Sequence, residues 1–167
     1  MRKSGQRSLP LSGRADESGG PHASGSRGLD LRAWVDGGAR GNPGPAGYGA
    51  RIEDADGNLV REESGFLGVT TNNVAEYNGL LAALRAALEL GARTLEVFAD
   101  SQLVVRQMTG EYRVKNEKLK PLFLEARRLS GGIPRFRIAH VPREENREAD
   151  RLANEAMDRG DARDARG

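Results

Sequence analysis

Residues 48–100 read YGARIEDADGNLVREESGFLGVTTNNVAEYNGLLAALRAALELGARTLEVFAD. Tyr48 to Glu53 predicts a strand, Asp54-Ala55-Asp56-Gly57-Asn58 a hairpin turn, and Leu59 to Leu67 the returning strand. Asn72 or Asn73 is the candidate N-cap of a helix. Val74, Tyr77, Leu80, Leu81, Leu84 and Leu88 recur along it at helical spacing, and Gly91 stops it. Thr94 to Ala99 is the next strand, ending at Asp100. Upstream, Leu31-Arg32-Ala33-Trp34-Val35-Asp36 reads as a strand that stops at Gly37-Gly38, and a turn-rich loop follows to Gly47. Downstream, Ser101 to Met108 and Glu117 to Leu129 read as helices, and Gly131-Gly132 breaks the chain before a strand from Arg135 to Val141. Glu144 to Met157 forms the last helix, with Ala149, Leu152, Ala153 and Ala156 on its apolar face. No internal repeat is visible.

Two hairpin connections make the third strand parallel to the first. The helix after it is long enough for a crossover, so the fourth strand also runs parallel, and the helical pair before the fifth allows the same. The expected fold class is α/β, a five-stranded mixed sheet flanked by helices. In that topology Asp36 ends the first strand and Asp100 the fourth. Glu76 and Asp150 lie early in the helices that follow the third and fifth. All four gather at the carboxyl edge of the parallel strands, where open α/β sheets bind ligands.

Four clustered carboxylates raise one another's pKa unless cations compensate. Oxygen-only ligands with little His select magnesium, manganese or calcium over zinc, and few carboxylates plus substrate phosphates is the usual magnesium arrangement. Two such ions activate a water and stabilise the leaving oxygen of a phosphodiester. The chain holds 24 acidic residues, so spacing alone also fits an ordinary charged surface.

Composition narrows the classes further. The chain has 167 residues, enough for one domain, and no cysteine, which excludes disulfides, a thiolate zinc site and a Cys nucleophile. No apolar run is long enough for a membrane helix, and no apolar region follows the basic start to make a secretory signal. Residues 1–28 hold six Gly, six Ser and two Pro with five basic and two acidic groups. They read as a disordered tail, ahead of a domain over 29–160 and a frayed end over 161–167. The remaining 21 basic and 22 acidic residues carry no excess positive charge, so the body is not a general polyanion binder.

The neighbours of the four carboxylates resemble ribonuclease H of type 1. Asp36-Gly37-Gly38-Ala39-Arg40-Gly41-Asn42-Pro43-Gly44-Pro45-Ala46-Gly47-Tyr48-Gly49 is similar to that family's first strand and turn. Thr70-Thr71-Asn72-Asn73-Val74-Ala75-Glu76 is similar to the start of its first helix. Asp100-Ser101-Gln102 resembles its third acidic site, and His140-Val141-Pro142-Arg143-Glu144-Glu145-Asn146-Arg147-Glu148-Ala149-Asp150 its last strand-to-helix segment. The resemblance spans about residues 30–158 with the segments in order. It implies a ribonuclease H-like fold and a cytoplasmic, monomeric endonuclease. That enzyme cuts the RNA strand of an RNA–DNA hybrid with two magnesium ions, manganese being an alternative, and leaves 5′-phosphate and 3′-hydroxyl ends.

By the same resemblance Asp36 bridges the ions, Glu76 and Asp100 hold the one on the leaving-group side, and Asp150 helps hold the other. His140, ten residues before Asp150, corresponds to the family's mobile histidine, a proton carrier because imidazoles titrate near neutrality. Gly37, Gly38, Asn42, Asn72, Asn73, Gln102 and Asn146 correspond to hybrid contacts and Thr71 to a DNA-phosphate contact. Turn chemistry at Asn42 and helix capping at Asn72 and Asn73 are compatible second roles. No base-reading pattern is present. The basic, Trp-rich insertion of some relatives is missing, since Met108 to Asn116 is short and lacks Trp. Three other readings fit less well. A 3′–5′ exonuclease resembles Asp-x-Glu, where this chain has Asp36-Gly37-Gly38. A P-loop needs a closing Gly-Lys-Ser/Thr. A silent nucleic-acid-binding module does not need all four acidic positions filled.

Overall fold

The computed structural model describes residues 28–166. The expected tail, apart from Gly28, lies outside them. Five strands form one sheet: β1 (Leu29–Ala39), β2 (Gly44–Asp54), β3 (Leu59–Thr70), β4 (Ala92–Ala99) and β5 (Arg135–His140). Among the described residues four α-helices accompany them: α1 (Asn72–Glu89), α2 (Gln102–Met108), α3 (Lys120–Ser130) and α4 (Arg147–Arg166), with a 3-10 turn at Arg143–Glu145. The strand order is β3-β2-β1-β4-β5. β2 is antiparallel to β1 and β3, while β4 is parallel to β1 and β5. Strands β1, β3, β4 and β5 therefore run one way, as the connections predict.

Alternation in β1 sends Leu31, Ala33 and Val35 to one face, where they meet Ala50, Ile52, Leu95 and Val97 and the buried side of α1, α2 and α3. Tyr77, Leu80, Leu81 and Leu84 of the helical pattern are buried in that core. Helix α4 lies on the other face, over β2, β3 and β1, with Ala149, Leu152, Ala153 and Ala156 buried. Among the described residues no helix is long and apolar enough to cross a membrane.

Several boundaries differ from the sequence reading. β1 does not stop at Gly37-Gly38 but pairs on to Ala39, opposite β2 residues back to Ala46. Thr71, not Asn72 or Asn73, caps α1: its Oγ1 accepts the Val74 N–H. Helix α3 starts at Lys120 instead of Glu117, because Pro121 suits a first turn and lacks the N–H an earlier start would use. The segment expected to begin the last helix is the 3-10 turn. The helix proper starts at Arg147 and continues past Met157, with Gly160 seated against the Phe66 ring. The last residues, read as a frayed end, are helical as far as Arg166.

Candidate active site

Glycines bring the helices close enough to form a site. A Cβ on Gly37 would lie 2.2 Å from the Ala75 carbonyl and 2.5 Å from the Glu76 nitrogen. One on Gly79 would lie 2.7 Å from the Asp36 carbonyl oxygen. Helix α1 therefore rests directly on the β1 backbone, and that contact delivers Glu76 to Asp36. On the opposite face, a Cβ on Gly49 would lie 2.5 Å from Leu152 Cβ and 2.6 Å from the Ala149 carbonyl oxygen. Gly49 pairs with Asp36, so the same device delivers the first turn of α4, with Asp150, to the other side of Asp36.

The result is a cleft of about 580 Å³ lined by all four predicted carboxylates: Asp36, Glu76, Asp100 and Asp150. Carboxylate oxygens of Asp36, Glu76 and Asp100 lie within 4.8 Å of one another. Asp150 lines the same cleft and helps hold the Asp36 carboxyl above its ordinary range. Burial pushes Asp36 up to about 8, helped by the Asp100 charge, the Asp150 carboxyl and the Glu76 charge, and opposed by the Gly37 N–H. Burial and the Asp100 charge push Glu76 up to about 7, opposed by a hydrogen bond with Ser101 and by the Arg143 charge. The cleft thus holds more negative charge than its own groups neutralise. An all-oxygen donor set of this kind fits a hard divalent cation and not zinc or a soft metal.

The remaining predicted residues divide. Gly37, Gly38, Asn42, Asn72 and Asn73 line the cleft. Asn72 Oδ1 accepts the Ala39 N–H at 2.7 Å, and Asn42 Oδ1 accepts the Asn72 N–H at 3.1 Å. These two side chains brace the β1–β2 turn against the start of α1. Thr71 and Gln102 stand outside the cleft wall, Thr71 engaged as a cap and Gln102 exposed at the start of α2. His140 is exposed at the end of β5, paired in register with Ala99, and is not among the lining residues. Asn146 is fully buried. Its Nδ2 donates to the Val35 carbonyl at 2.9 Å, its Oδ1 has no hydrogen-bond partner among the described residues, and its carbonyl accepts the Asp150 N–H. It ties the turn before α4 to the strand residue preceding Asp36.

Sequence reasoning missed four lining residues with side chains larger than a methyl group: Arg40, Arg143, Asn154 and Met157. Two were findable, because Asn154 and Met157 follow Asp150 by four and seven residues and share its helix face. Arg40 forms an ion pair with Asp158 at 2.8 Å and reaches Asn154, which in turn donates to the Asp150 carbonyl.

Residues 34–156 match the family model described as reverse transcriptase-like. The chain is 52% identical over 125 residues to the bifunctional protein Rv2228c of Mycobacterium tuberculosis, a match covering 74% of this chain and 34% of that protein. The chain thus spans about a third of the length of that curated relative. The solved N-terminal RNase H domain of Rv2228c superposes with a TM-score of 0.79 at 46% identity, covering 82% of this chain and 99% of that one. Ribonuclease HI of Halobacterium salinarum is 45% identical over 132 residues, covering 79% of this chain and 66% of the relative. LC11-RNase H1, solved in complex with an RNA/DNA hybrid, gives a TM-score of 0.75 at 44% identity, covering 78% of this chain and 99% of that one.

Proposed function

The chain belongs to the ribonuclease H family, and from that premise we propose that it is an endonuclease hydrolysing the RNA strand of RNA–DNA hybrids. The observation that carries the reading is the convergence of Asp36, Glu76, Asp100 and Asp150 in one cleft. LC11-RNase H1, a relative of the same fold, has been solved on such a hybrid, which supports the substrate class.

Asp36, at the centre of the group, is the residue suited to bridge two divalent ions. Glu76 and Asp100 would complete one position and Asp150 would help hold the other. Magnesium is the proposed ion, with manganese as an alternative. When bound, the ions supply an activated water and charge stabilisation at the leaving oxygen, giving 5′-phosphate and 3′-hydroxyl ends. The chain's own groups do the rest. The end of β1, the braced β1–β2 turn and the start of α1 bring the Gly38 backbone, Asn42 and Asn73 to the cleft. Short amides of this kind can reach the 2′-hydroxyls that distinguish RNA from DNA. The sequence carries no base-reading pattern, so the proposed enzyme has little sequence preference. His140, at the end of β5 and paired in register with Ala99, would carry a proton once substrate covers the cleft. Gln102 and Thr71, outside the cleft wall, would contact the flanking duplex. The buried Asn146 acts through the position of the turn, not by touching substrate. We further propose that the chain acts as a cytoplasmic monomer.

The test is cleavage of matched DNA–DNA, RNA–RNA and RNA–DNA duplexes with and without magnesium. Internal cuts confined to the RNA of the hybrid, and only with metal, support the proposal. Degradation from the ends identifies an exonuclease. Binding without cutting identifies a silent module.

A further inference from the structure

A second hollow, of about 270 Å³, opens on the α4 face of the sheet. Trp34 of β1, Arg51 and Glu53 of β2 and the turn over residues 144–148 line it, and none of these residues lines the carboxylate cleft. Its four carboxylates outnumber its two guanidiniums, a net charge of −2. Three of these groups are paired: Arg51 is 2.8 Å from Glu53 and 3.5 Å from Glu62, and Glu148 is 2.9 Å from Arg151. Glu144, Glu145 and Arg147 are exposed, and among the described residues their side chains form neither an ion pair nor a hydrogen bond. Two carboxylates stand uncommitted against one guanidinium.

Two further observations point to what fills the hollow. Trp34, the chain's one tryptophan, is half-buried and stacks on Phe98 with ring centroids 5.1 Å apart. Arg51 is its neighbour on the other side, in register on β2, and shares the hollow with it. Among the described residues no cation stands over the indole, since Arg51 is drawn to Glu53 and Glu62. Asn146 is fully buried in the wall. With its Nδ2 on the Val35 carbonyl, its Oδ1 is left without a partner among the described residues. A buried acceptor without a partner is costly, and a cation beside it answers that dipole.

The carboxylates of the hollow do not converge as those of the cleft do. Among the described residues only Asp36, Glu76 and Asp100 bring three ligand oxygens within 4.8 Å of one another. The hollow therefore lacks the close oxygen shell that a divalent metal takes, and suits an organic cation. An ammonium group donates to carboxylates and is drawn to an indole face, tryptophan being the strongest aromatic host for a cation.

We propose that this hollow binds an alkylammonium cation of the polyamine class, held between the Trp34 ring and the Glu144 and Glu145 carboxylates. Asn146 joins the hollow to the reaction centre. Its side chain bonds the Val35 carbonyl, one residue before Asp36, and its own carbonyl accepts the Asp150 N–H at 3.1 Å. A cation bound here bears on the turn that positions Asp150. The site stands whether or not the chain is a nuclease.

The test titrates spermidine into the full chain at constant ionic strength, in magnesium to compete for the carboxylate cleft. Emission from Trp34 reads the hollow directly, because no other tryptophan is present. Saturable change with wild type is expected. The paired substitution Glu144→Gln with Glu145→Gln should bind about 10-fold more weakly, the loss of two exposed ion pairs. Asp56→Asn removes a carboxylate exposed on the β2–β3 hairpin and should match wild type. N-acetyl-lysinamide, with one ammonium for two carboxylates, should bind more weakly than spermidine. Melting temperatures check the fold of each variant. Emission that spermidine leaves unchanged overturns the proposal, as does wild-type affinity in the paired variant or an equal loss in Asp56→Asn. Equal affinity for N-acetyl-lysinamide assigns the hollow to a protein lysine and overturns the polyamine assignment.

Discussion

Substituting Gly37 by alanine tests how the site is assembled. The new Cβ would stand 2.2 Å from the carbonyl carbon and oxygen of Ala75 and 2.5 Å from the Glu76 nitrogen. All three are backbone atoms of α1, so no side-chain rotation relieves the clash. Carbon contacts are comfortable at about 3.5–4.0 Å, so α1 must back away from β1 by more than about 1 Å. Overpacking of this kind costs typically 1–3 kcal/mol, and a rigid backbone neighbour places Gly37→Ala at the upper end, about 3 kcal/mol. For a chain of this size that is a fall of roughly 6–12 °C in melting temperature. The same displacement carries Glu76 away from Asp36, and misplacing a reacting group by about 1 Å can cost 10²-fold in rate. The assay is thermal and urea unfolding, followed by hybrid cleavage at a temperature where the variant is folded. Gly38→Ala is the matched comparison, because its Cβ would meet only Asn72 Oδ1, at an ordinary 3.9 Å. Its stability should stay within about 0.5 kcal/mol of wild type. A Gly37→Ala protein as stable as Gly38→Ala, with an unchanged rate, would refute the claim that close backbone contact positions Glu76.

Three further outcomes are expected. Asp36 and Glu76 hold their protons more tightly folded, up to about 8 and about 7, than unfolded. Their contribution to stability is therefore full below their unfolded values near pH 4 and lost as pH rises through 7 and 8. Metal-free melting temperature should fall between about pH 5 and pH 9, and Asp36→Asn or added magnesium should reduce that fall. A metal-free curve that rises over that range contradicts the electrostatics. Tyr77→Phe removes the hydroxyl that donates to the buried Gln107 Oε1 at 2.7 Å. An acceptor left unpaired costs about 1–3 kcal/mol in urea unfolding, and an unchanged midpoint would show that the bond contributes nothing. Asn146→Ala deletes the tie from the α4 turn to Val35. It should destabilise by about 2 kcal/mol and slow cleavage by loosening the turn before Asp150, whereas a loss of rate at full stability would instead indicate substrate contact.

Much of this architecture was legible in the chain. The Asp54–Asn58 hairpin and the apolar spacing from Val74 to Leu88 set the strand directions. Those directions put Asp36, Glu76, Asp100 and Asp150 at one edge. Gly37 was harder to read, because a glycine pair usually signals a break. Here the missing Cβ admits a helix while the strand continues to Ala39. Asn146 was readable as a polar residue near the site but not as a buried tether, since its partner, the Val35 carbonyl, is 111 residues away in the chain. The roles of Arg40 and Arg143 were illegible for a related reason. Both lie in turns without a period, and only the folded cleft shows Arg40 paired with Asp158 and Arg143 in the wall beside the carboxylates.

The central claim, that one carboxylate at the middle of the cluster organises metal-dependent cleavage, is tested most directly by Asp36→Asn. Its cleavage of an internally labelled RNA–DNA hybrid in magnesium is measured beside its binding of the same hybrid. Loss of cleavage with the hybrid still bound and the protein still folded is the predicted result. Turnover retained near the wild-type rate would contradict it.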